Sequence, residues 1–443
     1  MRKSQISRRK ALQIGTAAAA LPLVHVRTAG AAGKLSVGFW DHWVPTGNAI
    51  MKQQVQVWAD KNKVEVQSDF LGTALLTTAA AEQQAKTGHD IFALPTWEVH
   101  NHRDALEPVD DVVKRLADKY GQPNRVAEYL GKVDGHWLAI PGSSGTQNKG
   151  PCGRISLLKE MAGLDVLAMY PAKDEHTALA DQWTYDAHVK AAEACPKAGK
   201  PFGIGLGQTS DSVDTMGTIF AGFGAELVDA KGNITVDSDN VKQALEYALR
   251  LAKVLPADTV SYDDASNNRA LISGQSALIW NPPSAWAVAR RDAPDVAKDC
   301  WTFPPPAGPK GRFTPYLPYY WGIWNFGKNI SAAKELCEFL MDRPQVQARC
   351  TEVLGYDLPP FDSMLDFTIW ADAEPPKGSV YNYPLRPSQK TQANIAALPA
   401  PPDIAVQIYN RGTQTTMVAK LLSGQKMADV ISWAKNELEG FAR

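Results

Sequence analysis

Two short stretches set rings, carboxylates and hydrogen-bonding side chains side by side: Trp40-Asp41-His42-Trp43 and Pro95-Thr96-Trp97-Glu98. A third group, Asn281, Ser284 and Trp286, follows the apolar run Ala277-Leu278-Ile279-Trp280, and a fourth is Tyr319-Tyr320-Trp321. Aromatic faces beside neutral donors and acceptors suit a solute with apolar faces and a hydroxylated rim, as a sugar ring has. The acids Asp41, Glu98, Asp211 and Asp214 have two uses. An ionised carboxylate accepts the protons of sugar hydroxyls, and a pair of carboxyl groups, one acid and one base or nucleophile, is what glycoside hydrolysis requires.

Other chemistries find less support. His100-Asn101-His102 with Asp104 is a histidine pair near a carboxylate, but a metal site wants further ligands returning from elsewhere with orienting partners; no metal and no cofactor are expected. The five cysteines (152, 195, 300, 337, 350) have no CxxC spacing, which argues against zinc or a redox motif. Cys337 and Cys350 fall on two consecutive predicted helices broken near Pro344, and they either pair or remain buried thiols. Gly203-Ile204-Gly205-Leu206-Gly207 lacks the Lys-Ser/Thr of a phosphate cradle and reads as a strand leading into a polar loop, Gln208 to Ser212. A Gly-x-Ser-x-Gly elbow and a zincin motif are both absent.

These groups need a scaffold that gathers loops from distant parts of the chain. Leu35 to Phe39, Val64 to Val66 and Asp90 to Leu94 read as strands, with Met51, Val55 and Trp58 at i, i+4, i+7 on a helix between the first two. An alanine-rich helix from about Ala74 to Lys86 follows, and Val109, Val112, Val113 and Leu116 mark the next. Such βαβα order predicts a parallel sheet whose ligand loops sit at its carboxyl edge, where the first two groups fall. Val228 to Thr235 predicts a hairpin, and Val241, Ala244, Leu245 and Ala248 a helical face. Met427, Ile431, Ala434 and Leu438 predict a closing helix. A strand into Pro141-Gly142-Ser143-Ser144-Gly145 is a plausible hinge, which puts Ser144 among the candidates.

Charge bounds partner and place. The N-terminal Ser7-Arg8-Arg9-Lys10, a short alanine-rich run to Val24 and small residues at Ala29-Gly30-Ala31 predict a twin-arginine signal peptide over residues 1–31. Its removal leaves 40 Lys and Arg, from 46, against 47 Asp and Glu, a formal charge of -7 that disfavours nucleic acid or an anionic membrane as partner. The hydrophobic content, 44%, is enough to bury two ordinary cores. A soluble, monomeric periplasmic protein is expected.

A resemblance sharpens this. Ser273-Gly274-Gln275-Ser276-Ala277-Leu278, then a strand and the loop Asn281-x-Pro283-x-x-Trp286, is similar to the late motif of family 1 extracellular solute-binding proteins of bacterial ABC importers, which include maltodextrin binders. Gly135 to Pro141 resembles the family's crossing between lobes, and Gly222 to Val254 its hairpin and long helix. Departures are plain: Arg154-Ile155-Ser156 replaces the usual Tyr-Asn-Lys, and Ser284 stands where the family often has an aromatic platform. The resemblance implies an α/β, two-lobe periplasmic binding protein fold with three hinge crossings. The lobes would be 32–141 plus 303–342 and 142–302 plus 343–443. It also implies capture of a carbohydrate, delivery to membrane permease subunits and no catalytic residue. The ligand residues expected are Trp40, Asp41, His42, Trp43, Thr96, Trp97, Glu98, Ser144, Asp211, Asn281, Ser284, Trp286, Tyr319, Tyr320 and Trp321. Trp43, Trp97 and Trp286 would stack, and Asp41, Asp211 and Asn281 would take hydroxyls. A polyamine or sugar phosphate as solute, or a secreted glycosidase, are the alternatives.

Overall fold

The computed structural model describes residues 33–170, 177–281, 284–372 and 391–441. The expected leader and the Pro282-Pro283 step lie outside them. Strand β1 (Lys34–Phe39) pairs in parallel with β2 (Glu65–Phe70) and β3 (Ile91–Pro95). Helices α1 (Thr46–Asn62) and α2 (Leu75–Ala85) make the connections. Met51, Val55 and Trp58 are buried on α1, so one stripe of the helix seats it on the sheet. Helix α3 (Asp110–Tyr120) does the same with Val112, Val113 and Leu116.

Beyond these three strands the pairing is largely antiparallel, unlike the parallel sheet that the alternation predicts. A small hairpin, β4 (Lys132–Val133) and β5 (His136–Trp137), precedes the long strand β6 (Ala139–Asn148). Strand β10 (Arg312–Ile323) runs antiparallel to both β3 and β6, while its start runs parallel to β11 (Thr391–Asn394). A second sheet has β7 (Gly150–Arg154) at its centre, antiparallel to β8 (Leu278–Asn281) and β9 (Cys300–Thr302). The glycine run 203–207 forms no regular strand; it lies alongside β8 through Gly203 N to Leu278 O at 2.8 Å.

Two bodies result, each around its own sheet. The chain passes between them at Lys149, from β6 to β7, and again from β9 to β10. Where β6 and β10 pair at this passage, the register jumps between Leu317 and Tyr319. The intervening residues of β6 form a bulge that Thr146 closes, its hydroxyl donating to Gly142 O at 2.6 Å and accepting from Tyr319 N at 2.9 Å. Gly145 sits in the bulge at φ 89°, and a Cβ there would lie 2.8 Å from the Tyr319 ring.

The break at Arg343-Pro344 does not turn the chain into the second body, as the expected lobe boundary requires. Helices Ile330–Leu340 and α6 (Arg343–Glu352) both pack on α1. The reason is visible in the buried face of α6: Val346, Arg349 and Cys350 point inward. Arg349 donates to Gln54 Oε1 on α1 at 2.6 Å and to Ser143 Oγ in the bulge at 2.9 Å. Cys337 and Cys350 are buried free thiols, so the pairing weighed from the sequence does not form. The chain joins the second body later, where helix Thr413–Leu422 packs on the helix Ser210–Phe223 and the closing helix Met427–Phe441 packs on it in turn.

Candidate functional site

Between the bodies lies a cleft of about 700 Å³, within the range of small-molecule sites. Its first wall is aromatic and apolar. Trp40, Trp43, Leu75, Leu76, Thr96 and Tyr319 line it. Trp40 and Tyr319 sit 5.2 Å apart at 45°, and Trp43 is 51% exposed, an unusual state for an indole unless something covers it. Thr96 holds a positive φ of 43°, costly for a β-branched residue, and its amide donates to Pro318 O at 2.8 Å.

His42 is what shapes this wall, although the sequence suggests that it touches ligand. Its Nδ1 accepts from Val44 N at 2.9 Å, so Nε2 carries the proton and donates to Asp357 Oδ1 at 3.0 Å. Asp357 also accepts from Gly145 N at 2.9 Å, which ties the Trp40–Trp43 loop to the bulge. A Cβ on Gly47 would come within 2.6 Å of the His42 ring, so glycine permits the loop to close. With His42 turned in, its neighbours Trp40 and Trp43 face the cleft. Asp41 is exposed at the edge, accepting from Asn48 Nδ2 at 2.6 Å.

The second wall is polar. Helix α4, the Ser210–Phe223 helix, starts at Thr209, whose hydroxyl caps it by accepting from Ser212 N at 3.2 Å. Its first turn carries Asp211 and the next turn Asp214, and between them lies Lys149 from the passage of the chain, with no exposed side-chain surface. Lys149 Nζ is 2.8 Å from Asp211 Oδ1 and 3.7 Å from Asp214 Oδ2. Burial pushes both carboxyls up, against the pull of Lys149, and Asp214 reaches about 7. The phenol of Tyr409 donates to Asp214 Oδ1 at 3.1 Å. Helix α5 (Ser266–Ile272), the end of β8 and the start of the helix Ser284–Asp292 complete the wall with Asn268, Asn281 and Ser284.

Of the expected residues, then, Trp40, Trp43, Thr96, Glu98, Asp211, Asn281, Ser284 and Tyr319 line one cavity. Trp97 does not: between the cleft-facing Thr96 and Glu98 it turns inward, packed on His100, Tyr129 and Tyr409. Trp286 stands two residues past Ser284 on the helix Ser284–Asp292, about 200° round, and so packs in a small core with Cys152, Ile279 and Cys300. Strand alternation puts Tyr320 on the opposite face from Tyr319, where its hydroxyl donates to Ala127 O at 2.8 Å. Trp321 is buried edge-on against Phe39, and Ser144 sits half-buried in the bulge, outside the cleft lining. His100 is buried beside Trp97, and burial pushes its pKa down. Among the described residues no group of three His, Cys, Asp or Glu is placed to hold a metal. The polar loop read at Gln208 to Ser212 brings Gln208 to the cleft, whereas sequence reasoning missed Gln147, Asp264, Asn268 and the Tyr409-Asn410-Arg411-Gly412 turn, all of which line it. No local pattern marks them, because they converge from the passage strand, a short helix and the late chain.

The fold has many relatives among solved structures. The maltose-bound MalE3 of T. maritima superposes with a TM-score of 0.68 over 92% of this chain and 99% of its own, at 19% identity. The GacH receptor of Streptomyces glaucescens, solved unliganded and with acarbose, gives 0.68 over 93% and 98% at 18% identity. A sugar transporter protein of Arthrobacter chlorophenolicus with bound laminaribiose gives 0.69 over 92% and 99% at 15%. These likenesses establish the two-lobe fold. A probable ABC transporter-binding protein of Deinococcus radiodurans is 27% identical over 135 residues, which span 29% of this chain and 31% of that relative's length. Residues 42–347, well over half of the chain, match the family described as bacterial extracellular solute-binding proteins, and the chain belongs to that family.

Proposed function

We propose that the protein captures a neutral mono- or oligosaccharide between its lobes, acting as a monomer, and delivers it unchanged to the membrane permease of an ABC importer. The observation that carries this is the pairing of walls: indole and phenol rings on one side, Trp43 exposed and Trp40 and Tyr319 half-buried, with amides and hydroxyls on the other. Stacking takes the apolar face of a sugar and the amides take its rim. A polyamine fits less well, because the two deepest carboxylates already share Lys149. A sugar phosphate would meet Glu98, Asp211, Asp214 and Asp264 with Arg411 as the one cation lining the cleft among the described residues. The names of the similar structures, with maltose, acarbose and laminaribiose bound, support the same class. Isothermal titration against a panel of neutral mono- and oligosaccharides tests it. Binding of one sugar, recovered intact, is expected; binding only of putrescine-like amines, or release of reducing ends, would overturn it.

The lobes in this reading are 33–148 with 312–372, and 150–302 with the late helices, hinged at Lys149 and the β6–β10 bulge. Closure of one lobe over the sugar is the motion expected of such an arrangement. We place the mature protein in the periplasm, exported by its Arg8-Arg9 leader. Replacing that pair by Lys-Lys should hold the precursor inside the cell, and an unchanged periplasmic yield would exclude the twin-arginine route.

A further inference from the structure

Most of the cleft's polar atoms are already spoken for. Asp211 Oδ1 meets Lys149, and its Oδ2 accepts from Asn267 Nδ2 at 2.9 Å and Asn281 Nδ2 at 3.2 Å. Asp264 accepts from Ser210 Oγ and from Asp211 N. Two cleft-lining side chains differ: Gln147 Oε1 and Asn268 Oδ1 are buried acceptors with no hydrogen-bond partner among the described residues, each residue only 8% exposed. Other orphaned atoms, such as Trp97 Nε1 and Trp321 Nε1, belong to residues outside the cleft lining. Buried acceptors are almost always satisfied in folded proteins, so a pair left open at a cleft marks where a bound molecule donates.

The orientation of the Asn268 amide follows from the network. A carboxylate only accepts, so the Asn281 group facing Asp211 is its NH2. The Asn281 oxygen therefore faces Ser284, whose hydroxyl donates to it at 2.7 Å. Having donated there, Ser284 Oγ accepts from Asn268 Nδ2 at 3.3 Å. The Asn268 oxygen is then the end left over. Asp211, Asn281 and Ser284 thus act in series, and their effect on the solute is to hold one carbonyl outward. Gln147 stands near the end of β6, two residues before Lys149, so its acceptor belongs to the passage between the lobes.

We infer that Gln147 and Asn268 read the solute's hydroxyls, whereas Asp211 and Asn281, the residues that the sequence favours for that task, are positioning residues. This rests on the sugar-binding reading and names the groups that give it specificity. Two acceptors at fixed positions select one hydroxyl configuration among otherwise similar sugars.

Titration of the wild type with maltose, laminaribiose and a panel of neutral mono- and disaccharides comes first, and absence of any binding there counts against the sugar reading itself. With the sugar that binds, Gln147→Met and Asn268→Ala should each weaken affinity about tenfold to a hundredfold. The ligand-free melting temperature of Gln147→Met should stay or rise, because an orphaned acceptor is removed; a merely structural glutamine would lower it. Monodeoxy forms of the same sugar locate the contact. One of them should bind the wild type weakly yet bind Asn268→Ala as well as the parent sugar does. Affinity within twofold of wild type for both variants, or equal discrimination of every deoxy form by wild type and variant, overturns the inference.

Discussion

The two walls of the cleft are built by different physics. On the first, Trp40, Trp43 and Tyr319 are presented by a loop and a strand whose anchors, His42, Asp357 and Gly145, lie behind the surface. On the second, the surface and its support are the same groups: Lys149, Asp211, Asn267, Asn281 and Ser284 hold one another through polar contacts of 2.7 to 3.2 Å. A wall of rings can lose a ring and keep its shape. A wall of mutually oriented dipoles loses its geometry with any member, so binding and folding are separable on the first side and fused on the second.

Substitution tests this directly, and the largest effect belongs to the second wall. Asp211→Ala leaves Lys149, which has no exposed side-chain surface, without its 2.8 Å partner. Breaking a buried pair in this way costs about 3–5 kcal/mol, so a marked drop in melting temperature is expected together with lost sugar binding. Trp43→Ala on the first wall removes a half-exposed ring. Its stability should change by no more than about 0.5 kcal/mol, while sugar affinity falls by about 1–3 kcal/mol. Thermal melts beside calorimetry separate the two. Equal losses of stability in both variants would dissolve the contrast.

The same contrast explains how much was legible in the sequence. The first wall announces itself: β1 alternates, β3 is a short continuous apolar run, and both end in polar aromatic loops that place Trp40, Trp43, Thr96 and Glu98 at a carboxyl edge. Periodicity is local, so the parallel unit and its helices could be read from it. What local order does not carry is phase. Whether Trp97 or Thr96 faces the cleft, and whether Ser284 or Trp286 does, depends on which side the core lies, a tertiary fact; in both cases the largest ring took the core. The second wall is assembled from residues far apart in the chain, Lys149 with Asp211 at a separation of 62, Asp211 with Asn267 at 56 and Asp214 with Tyr409 at 195, and no spacing in the chain anticipates it. The antiparallel second sheet and the place of α6 were hidden for the same reason, since both are settled by long-range packing against partners that the sequence does not identify.

A smaller effect follows from the charges behind the second wall. Asp214 is pushed up to about 7 from 3.8, first by burial and further by Asp211, with Lys149 opposing and Tyr409 donating to it. The folded-state value lies above the unfolded one, so this carboxyl favours the fold below about pH 4, and that contribution is lost as pH rises through 7. His188 acts in the reverse sense. Its Nε2 accepts from Trp280 Nε1 at 3.2 Å, Nδ1 faces the Tyr247 hydroxyl at 2.8 Å, and burial lowers its pKa to about 3 from 6.5. Its neutral form supports the fold above pH 6.5, and that support fades as pH falls. In the wild type the two slopes oppose each other between about pH 4 and 6.5. Asp214→Asn removes the first alone, so the variant should gain stability relative to wild type as pH rises from 5 to 8, by on the order of a few degrees in melting temperature. Trp43→Ala, across the cleft, should run parallel to wild type over the same range. If Asp214→Asn also ran parallel, the carboxylate would be fully ionised throughout, and Lys149 would outweigh the burial that the geometry of this wall imposes.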